Sequence, residues 1–156
     1  MQTDPTVPTL FAFCILNFAF REASVISRRI SLWGPVVVYM AAIFVVSSFH
    51  QAPLPPGVSD KPAHAFGYMG LGFVIARALG GGLPPRITRR DFFIGLAIAV
   101  TYAASDEFHQ RFVPGRDADL ADLYADAMGS VIALSACWAW GIISPRSRQP
   151  AARSQQ

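Results

Sequence analysis

Charged side chains are scarce in this sequence: they make up 15% of its 156 residues, where a soluble domain carries about 25%. Apolar residues account for 53%, and mean hydropathy is +0.37. Charge is costly in hydrocarbon, so the deficit points to a membrane protein. Excess basic charge is also missing. The formal net charge is only +3, and no basic stripe with interleaved aromatics occurs, which excludes nucleic acid as the expected partner. Cysteine is limited to Cys14 and Cys137, both in apolar stretches. They read as small buried hydrophobes, not as a disulfide or a metal pair. No GxSxG, HExxH or phosphate-binding P-loop is present, so no motif defines a reaction.

What the chain does have is long apolar runs. A bilayer core takes about 20 apolar residues of helix, and the runs 31–49, 61–79, 91–112 and 119–143 match that length. Gly80-Gly81-Gly82 stops the second, Pro114-Gly115 the third and Ser144-Pro145 the fourth. Thr88 and Asp91 form an [ST]-x-x-[DE] start signal for the third. Ser59 or Asp60, with Pro62 close behind, starts the second. The expected fold is an all-α integral membrane bundle of four main transmembrane helices over residues 31–143. A short apolar segment, "LFAFCILNFAF", precedes it. It is too short to span alone and lacks the basic start and cleavage site of a signal peptide. Residues 1–30 are therefore expected to form an interfacial or partly ordered extension, and residues 144–156 a basic tail.

Arginine sets an orientation. Arg21, Arg28 and Arg29 precede the first span, Arg77, Arg86, Arg89 and Arg90 lie between the second and third, and Arg146, Arg148 and Arg153 follow the fourth. Only Lys61, Arg111 and Arg116 fall on the other side. The positive-inside rule places both termini in the cytoplasm. His50, Asp60, His64, Asp106, Glu107, His109, Gln110, Asp117, Asp119, Asp122 and Asp126 then gather at the outer ends of the spans. At 100° per residue, Asp119, Asp122 and Asp126 share one helix face, as do Asp106, His109 and Gln110 above Tyr102. Asp60 and His64 are one turn apart, with Tyr68 a turn further in. Glu107 is about 100° off the Asp106 face, and a solvated helix end is its simpler reading. Helix-dipole complementarity accounts for Asp119 at a helix start. It does not account for Asp126, about 10 Å deeper. An acid at that depth is expected to face a partner or a wet cavity. The glycines Gly67, Gly70, Gly72 and Gly129 read as sites of close helix packing.

Two stretches, "SDKPAHAFGYMGLGF" and "SDEFHQRFVPGRDADLADLYADAMGSVIAL", resemble the VanZ-like family of small bacterial membrane proteins. Asp60, Lys61 and His64 match that family's Asp-Lys-x-x-His block, and Asp106, Glu107 and Gln110 its Asp-Glu-x-x-Gln block. Pro114, Gly115 and Arg116 match its turn, and Asp119, Asp122, Asp126 and Gly129 its last span. The resemblance covers about residues 31–143 and implies a cell-envelope role at the bacterial cytoplasmic (inner) membrane. The best-known member is linked to low-level resistance to teicoplanin, a glycopeptide that binds cell-wall precursors.

The residues and the resemblance together define a candidate site. His64, Asp106, Glu107, Asp122 and Asp126 are candidate acid–base or catalytic groups. Lys61, Gln110 and Arg116 are candidate substrate-binding groups, since guanidinium suits phosphate or carboxylate. Asp60, His64, Asp106 and Asp126 are candidate ligands for a divalent cation. The expected partners are the lipid bilayer and a lipid-linked cell-wall precursor or glycopeptide. Two function classes follow: a membrane enzyme acting on a lipid-linked phosphate, and a non-catalytic binding protein of the envelope.

Overall fold

The computed structural model describes residues 6–49, 60–116 and 119–144, with side chains from Ser24 onward. Four helices carry it: α1 (Thr6–Ser47), α2 (Lys61–Leu79), α3 (Arg89–Gln110) and α4 (Leu120–Ile143). There is no strand among the described residues. The all-helical expectation is met.

Helix starts follow local chemistry. At α3, Thr88 Oγ1 accepts the Asp91 N–H at 3.2 Å, and Asp91 Oδ2 accepts the Thr88 N–H at 2.9 Å, the reciprocal capping box that the spacing predicts. At α4, Asp119 caps by accepting the Ala121 N–H at 2.9 Å. At α2, Pro62 occupies the first turn, but Asp60 makes no side-chain cap. Its carboxylate lies on a cavity wall instead.

The clearest departure from expectation is α1. It is one continuous helix of 42 residues, about 63 Å long at 1.5 Å per residue. The short apolar segment and the first span are one element. The connecting stretch 21–30 contains neither Gly nor Pro, so nothing in it breaks a helix. Pro35 lies inside the helix without ending it.

Helix α2 packs chiefly on α4 and also meets α1 and α3. Its Tyr68, Leu71 and Ile75 are buried, with Val36 of α1, Ala99 and Ala103 of α3, and Leu134 of α4. Small residues set the approach. A Cβ at Gly129 would collide with the Ala65 carbonyl oxygen, and one at Gly72 would stand 3.1 Å from the Ser130 carbonyl oxygen. Close backbone approach of this kind is how membrane helices pack. Gly70 likewise faces Tyr39 too closely for a side chain, whereas Gly67 has open space around it. Gly67 contributes through its carbonyl, which accepts the Tyr39 hydroxyl at 3.1 Å.

The outer surface inverts the usual pattern of a soluble domain. Val37, Val38, Phe44, Phe66, Phe73, Phe93, Phe108, Ile132, Ile142 and Ile143 are all exposed. Among the described residues, two segments, Ser24–Ser47 and Leu120–Ile143, are long and apolar enough to cross a membrane.

Candidate functional site

The polar residues gather where the C-terminal ends of α1 and α3 meet the N-terminal ends of α2 and α4. The loop after α3 returns the chain to start α4, and one hydrogen bond fixes that return: the Asp119 N–H donates to Glu107 Oε2 at 3.2 Å. Lys61, the first residue of α2, donates to Asp119 Oδ2 and to Asp122 Oδ1, each at 3.1 Å. A single ammonium thus ties α2 to the first turn of α4. The Ala121 N–H and the Lys61 ammonium together hold the Asp119 carboxyl below its usual range.

One turn deeper, His64 Nδ1 lies 3.1 Å from Asp126 Oδ1. His64 has 11% of its side chain exposed and Asp126 none, so this pair is almost wholly shielded from solvent. The Ser130 hydroxyl, a turn below, donates to the Asp126 carbonyl at 3.0 Å. Asp106 faces α1, where the Ser47 hydroxyl donates to its Oδ2 at 2.7 Å. Gln110 Nε2 donates to the same oxygen at 3.3 Å, and Arg116 donates to Gln110 Oε1 at 3.1 Å. The chain Arg116–Gln110–Asp106–Ser47 therefore links the loop, α3 and α1.

Beside these residues lies a cavity of about 320 Å³. Tyr39, Ala42, Ile43 and Val46 give it an apolar wall on α1. Asp60, His64, Asp106 and Arg116 give it a polar one. Several polar atoms near it are buried without a hydrogen-bond partner: Asp106 Oδ1, Glu107 Oε1, Asp126 Oδ2 and the Tyr68 hydroxyl. Each such group costs about 1–3 kcal/mol, and more when charged.

The sequence-predicted residues divide as follows. Lys61, His64, Asp106, Glu107, Gln110, Arg116, Asp122 and Asp126 all come to this end of the bundle and are joined by the contacts above. Of the two readings of Glu107, a site residue and a solvated helix end, its burial at 7% exposure disfavours the second. The helical wheel sets it off the Asp106 face, but α3 has two interior faces here. Asp106 looks toward α1, while Glu107 looks toward the start of α4. His109 is not on the cavity wall. Its ring stacks on Phe44 with centroids 4.4 Å apart, and its Nε2 lies 3.1 Å from the Ser48 hydroxyl. His50 and Asp117 lie outside the described residues. Ser47 was not singled out from the sequence. The signal for it was the Ser47-Ser48 pair at the end of an otherwise apolar run, at the depth of Asp106.

Among the described residues, two groups of side chains have donor atoms all within 4.8 Å of one another and could hold a cation: Asp60, His64 and Asp122, and His64, Glu107 and Asp126. The set expected from the sequence, Asp60, His64, Asp106 and Asp126, is split between them. Asp106 belongs to neither.

Residues 63–143 match the family model VanZ/LLP1. No curated protein and no solved structure matches the chain. The matched segment holds α2 from its third residue, α3, α4 and the loops between them, with His64, Asp106, Glu107, Gln110, Arg116, Asp119, Asp122 and Asp126; Ser47, Asp60 and Lys61 lie before it. The chain belongs to the VanZ/LLP1 family.

Proposed function

We propose that this VanZ/LLP1 protein is a multi-pass protein of the bacterial cytoplasmic membrane that binds the anionic head group of a lipid-linked cell-envelope precursor in its polar cavity. The observation that carries this reading is the two-sided cavity: an apolar wall from α1 faces a polar wall bearing Arg116, His64 and two carboxylates. An amphiphile with a charged head matches both walls at once. The Arg116 guanidinium has five N–H donors in a fork suited to phosphate, and Gln110 takes one of them.

Four spans with cytoplasmic termini put the cavity on the outer side. The exposed apolar residues on all four helices support four spans, because contiguous apolar surface of this extent is unusual on a soluble monomer. The length of α2, 19 residues, gives about 28 Å, close to the hydrocarbon thickness. Arginine asymmetry supports the orientation. At the end opposite the cavity, Arg77 donates to the Ser31 and Leu32 carbonyls at 3.1 and 3.4 Å. A site that engages wall precursors outside the cell would act in the way low-level glycopeptide (teicoplanin) resistance requires, by altering what the drug meets at the surface.

The test is binding of a polyprenyl phosphate to the purified protein in nanodiscs, beside a neutral polyprenol. Selective, saturable binding is expected, weakened at least about tenfold by Arg116→Lys, since a point charge replaces a bidentate fork. Equal binding of phosphate and alcohol would sink the reading. A second reading, hydrolysis or transfer at that phosphate, is favoured by the shielded His64–Asp126 pair, an arrangement that can pass a proton. Release of phosphate or appearance of a transferred product, with and without divalent metal, separates catalysis from binding.

A further inference from the structure

The carboxylates of this site outnumber the cations that face them. Lys61 answers Asp119 and Asp122. His64 answers Asp126 through one oxygen only. Asp106 is satisfied on one oxygen by Ser47 and Gln110, both neutral. Glu107 is satisfied on one oxygen by a backbone N–H. Three buried carboxylate oxygens among the described residues have no partner, Asp106 Oδ1, Glu107 Oε1 and Asp126 Oδ2, and the last two belong to residues that are 7% and 0% exposed. These two residues and His64 form one of the groups whose donor atoms lie within 4.8 Å of one another. Unpaired anionic oxygens this deep are too costly to stand alone.

We infer that His64, Glu107 and Asp126 form a binding site for one divalent transition-metal ion of the Mn²⁺ or Zn²⁺ class. One imidazole nitrogen with two carboxylates suits those ions better than Mg²⁺ or Ca²⁺, which take oxygen ligands. Donors around such an ion at about 2.1 Å stand roughly 3–4 Å apart, so the ion needs only side-chain adjustment to draw the three together. The ligands come from three helices, α2, α3 and α4, so the ion also pins the bundle at this end. Three protein ligands leave at least one position for a water or a head-group oxygen. His64 is on the cavity wall, so the ion sits beside the anion site of the proposed function. The inference deepens that reading and rests on it for this last role alone; the ion site itself stands on the ligand geometry.

The rival site, Asp60, His64 and Asp122, is weaker. Asp122 is already engaged by Lys61, and neither Asp60 nor Asp122 has a buried oxygen without a partner.

The test is titration of the full-length, chelator-treated protein with Mn²⁺ alone, followed by the loss of free-ion signal in electron paramagnetic resonance, without any lipid ligand. One ion per chain is expected. Glu107→Gln and Asp126→Asn keep side-chain shape, and both should weaken binding by more than the roughly 10–100-fold that loss of an outer-shell partner costs. Each should also abolish the rise in melting temperature that Mn²⁺ gives the parent. Asp91→Asn, in the capping box at the opposite end, should leave both readouts unchanged. Absence of binding by the parent overturns the site. So does loss of binding in Asp60→Asn with retention in Glu107→Gln, which moves the ion to the rival cluster. Head-group binding by a protein that takes no Mn²⁺ defeats this inference and leaves the proposed function standing. Mn²⁺ binding without head-group binding does the reverse.

Discussion

At the scale of single residues, what matters is where a carboxylate ends up relative to the helix that carries it. Asp119 and Asp126 lie in one row of the sequence but in different environments. Asp119 is an exposed cap held by the Ala121 N–H and Lys61, whereas Asp126 is fully buried against His64. Asp119→Asn should therefore be mild, because Asn caps as well as Asp. Under the proposed function, Asp126→Asn should abolish any protection that the parent gives under glycopeptide challenge while membrane abundance holds, since Asn keeps the shape and loses the charge. Equal protection by both variants at equal abundance would reduce Asp126 to scaffold. The lowered Asp119 pKa also fixes a sign. Its contribution is present above the unfolded carboxyl pKa and is lost as pH falls through the lower folded value. Acid should therefore loosen the start of α4 below about pH 4, and Asp119→Asn should remove that step from a pH series of amide exchange. Ser47 shows the reach of one hydroxyl. Ser47→Ala leaves Asp106 Oδ2 without its 2.7 Å donor, and a loss of about 1–3 kcal/mol in thermal stability is expected.

Among the elements, legibility tracked whether a signal was local. The capping box at Thr88 and Asp91, the glycine stop after α2 and the row on α4 are each readable within a few residues, and each is where the sequence places it. The continuity of α1 was not readable, because hydropathy divides at Arg21, Arg28 and Arg29 while the helix does not. Charge interrupts an apolar run without breaking backbone hydrogen bonding. Glu107 was only partly legible for a related reason. A helical wheel assigns one interior face, but α3 meets α1 on one side and α4 on another. The packing glycines give a graded test. Gly129→Ala drives a Cβ into the Ala65 carbonyl, and backbone cannot yield as a side-chain tip can. A loss of about 1–3 kcal/mol is expected, read as a lower melting temperature in detergent. Gly34→Ala meets nothing within 4 Å and should be neutral or stabilising by up to about 1 kcal/mol. Similar melting temperatures for the two would show that the α2–α4 approach is looser than the contact between Gly129 and the Ala65 carbonyl implies.

For the whole molecule, the decisive asymmetry is that most arginines gather at one end of an apolar bundle and most carboxylates at the other, with Arg111, Arg116 and Asp91 as the exceptions among the described side chains. In a soluble protein such a dipolar distribution carries no topological meaning. In a bilayer it selects an orientation, because basic loops stay on the cytoplasmic side. Under the proposed function the orientation also decides where a lipid-linked head group is met, since the cavity would then open toward the outer leaflet. Phe112 is 70% exposed beside the cavity end, and Leu83 is 67% exposed at the arginine end, so a cysteine at either is tolerable and reachable. In a background with Cys14→Ser and Cys137→Ala, Phe112→Cys should react with a membrane-impermeant maleimide on intact spheroplasts, and Leu83→Cys only after permeabilisation. The reverse pattern would turn the cavity toward the cytoplasm. Labelling of both without permeabilisation would mean that α2 and α3 do not cross the bilayer, and the two segments apolar enough to do so, Ser24–Ser47 and Leu120–Ile143, would then be the whole anchor. Lys61 bears on the choice. It is one of three basic residues that the sequence assigns to its side, against ten arginines on the other, so it does little to oppose the arginine signal. Lys61→Gln should leave the labelling pattern intact while releasing Asp122. Arg77→Glu, Arg86→Glu, Arg89→Glu and Arg90→Glu together, which remove every basic residue from the last turn of α2 to the first turn of α3 and so weaken the bias, should yield a mixed population labelled at both positions.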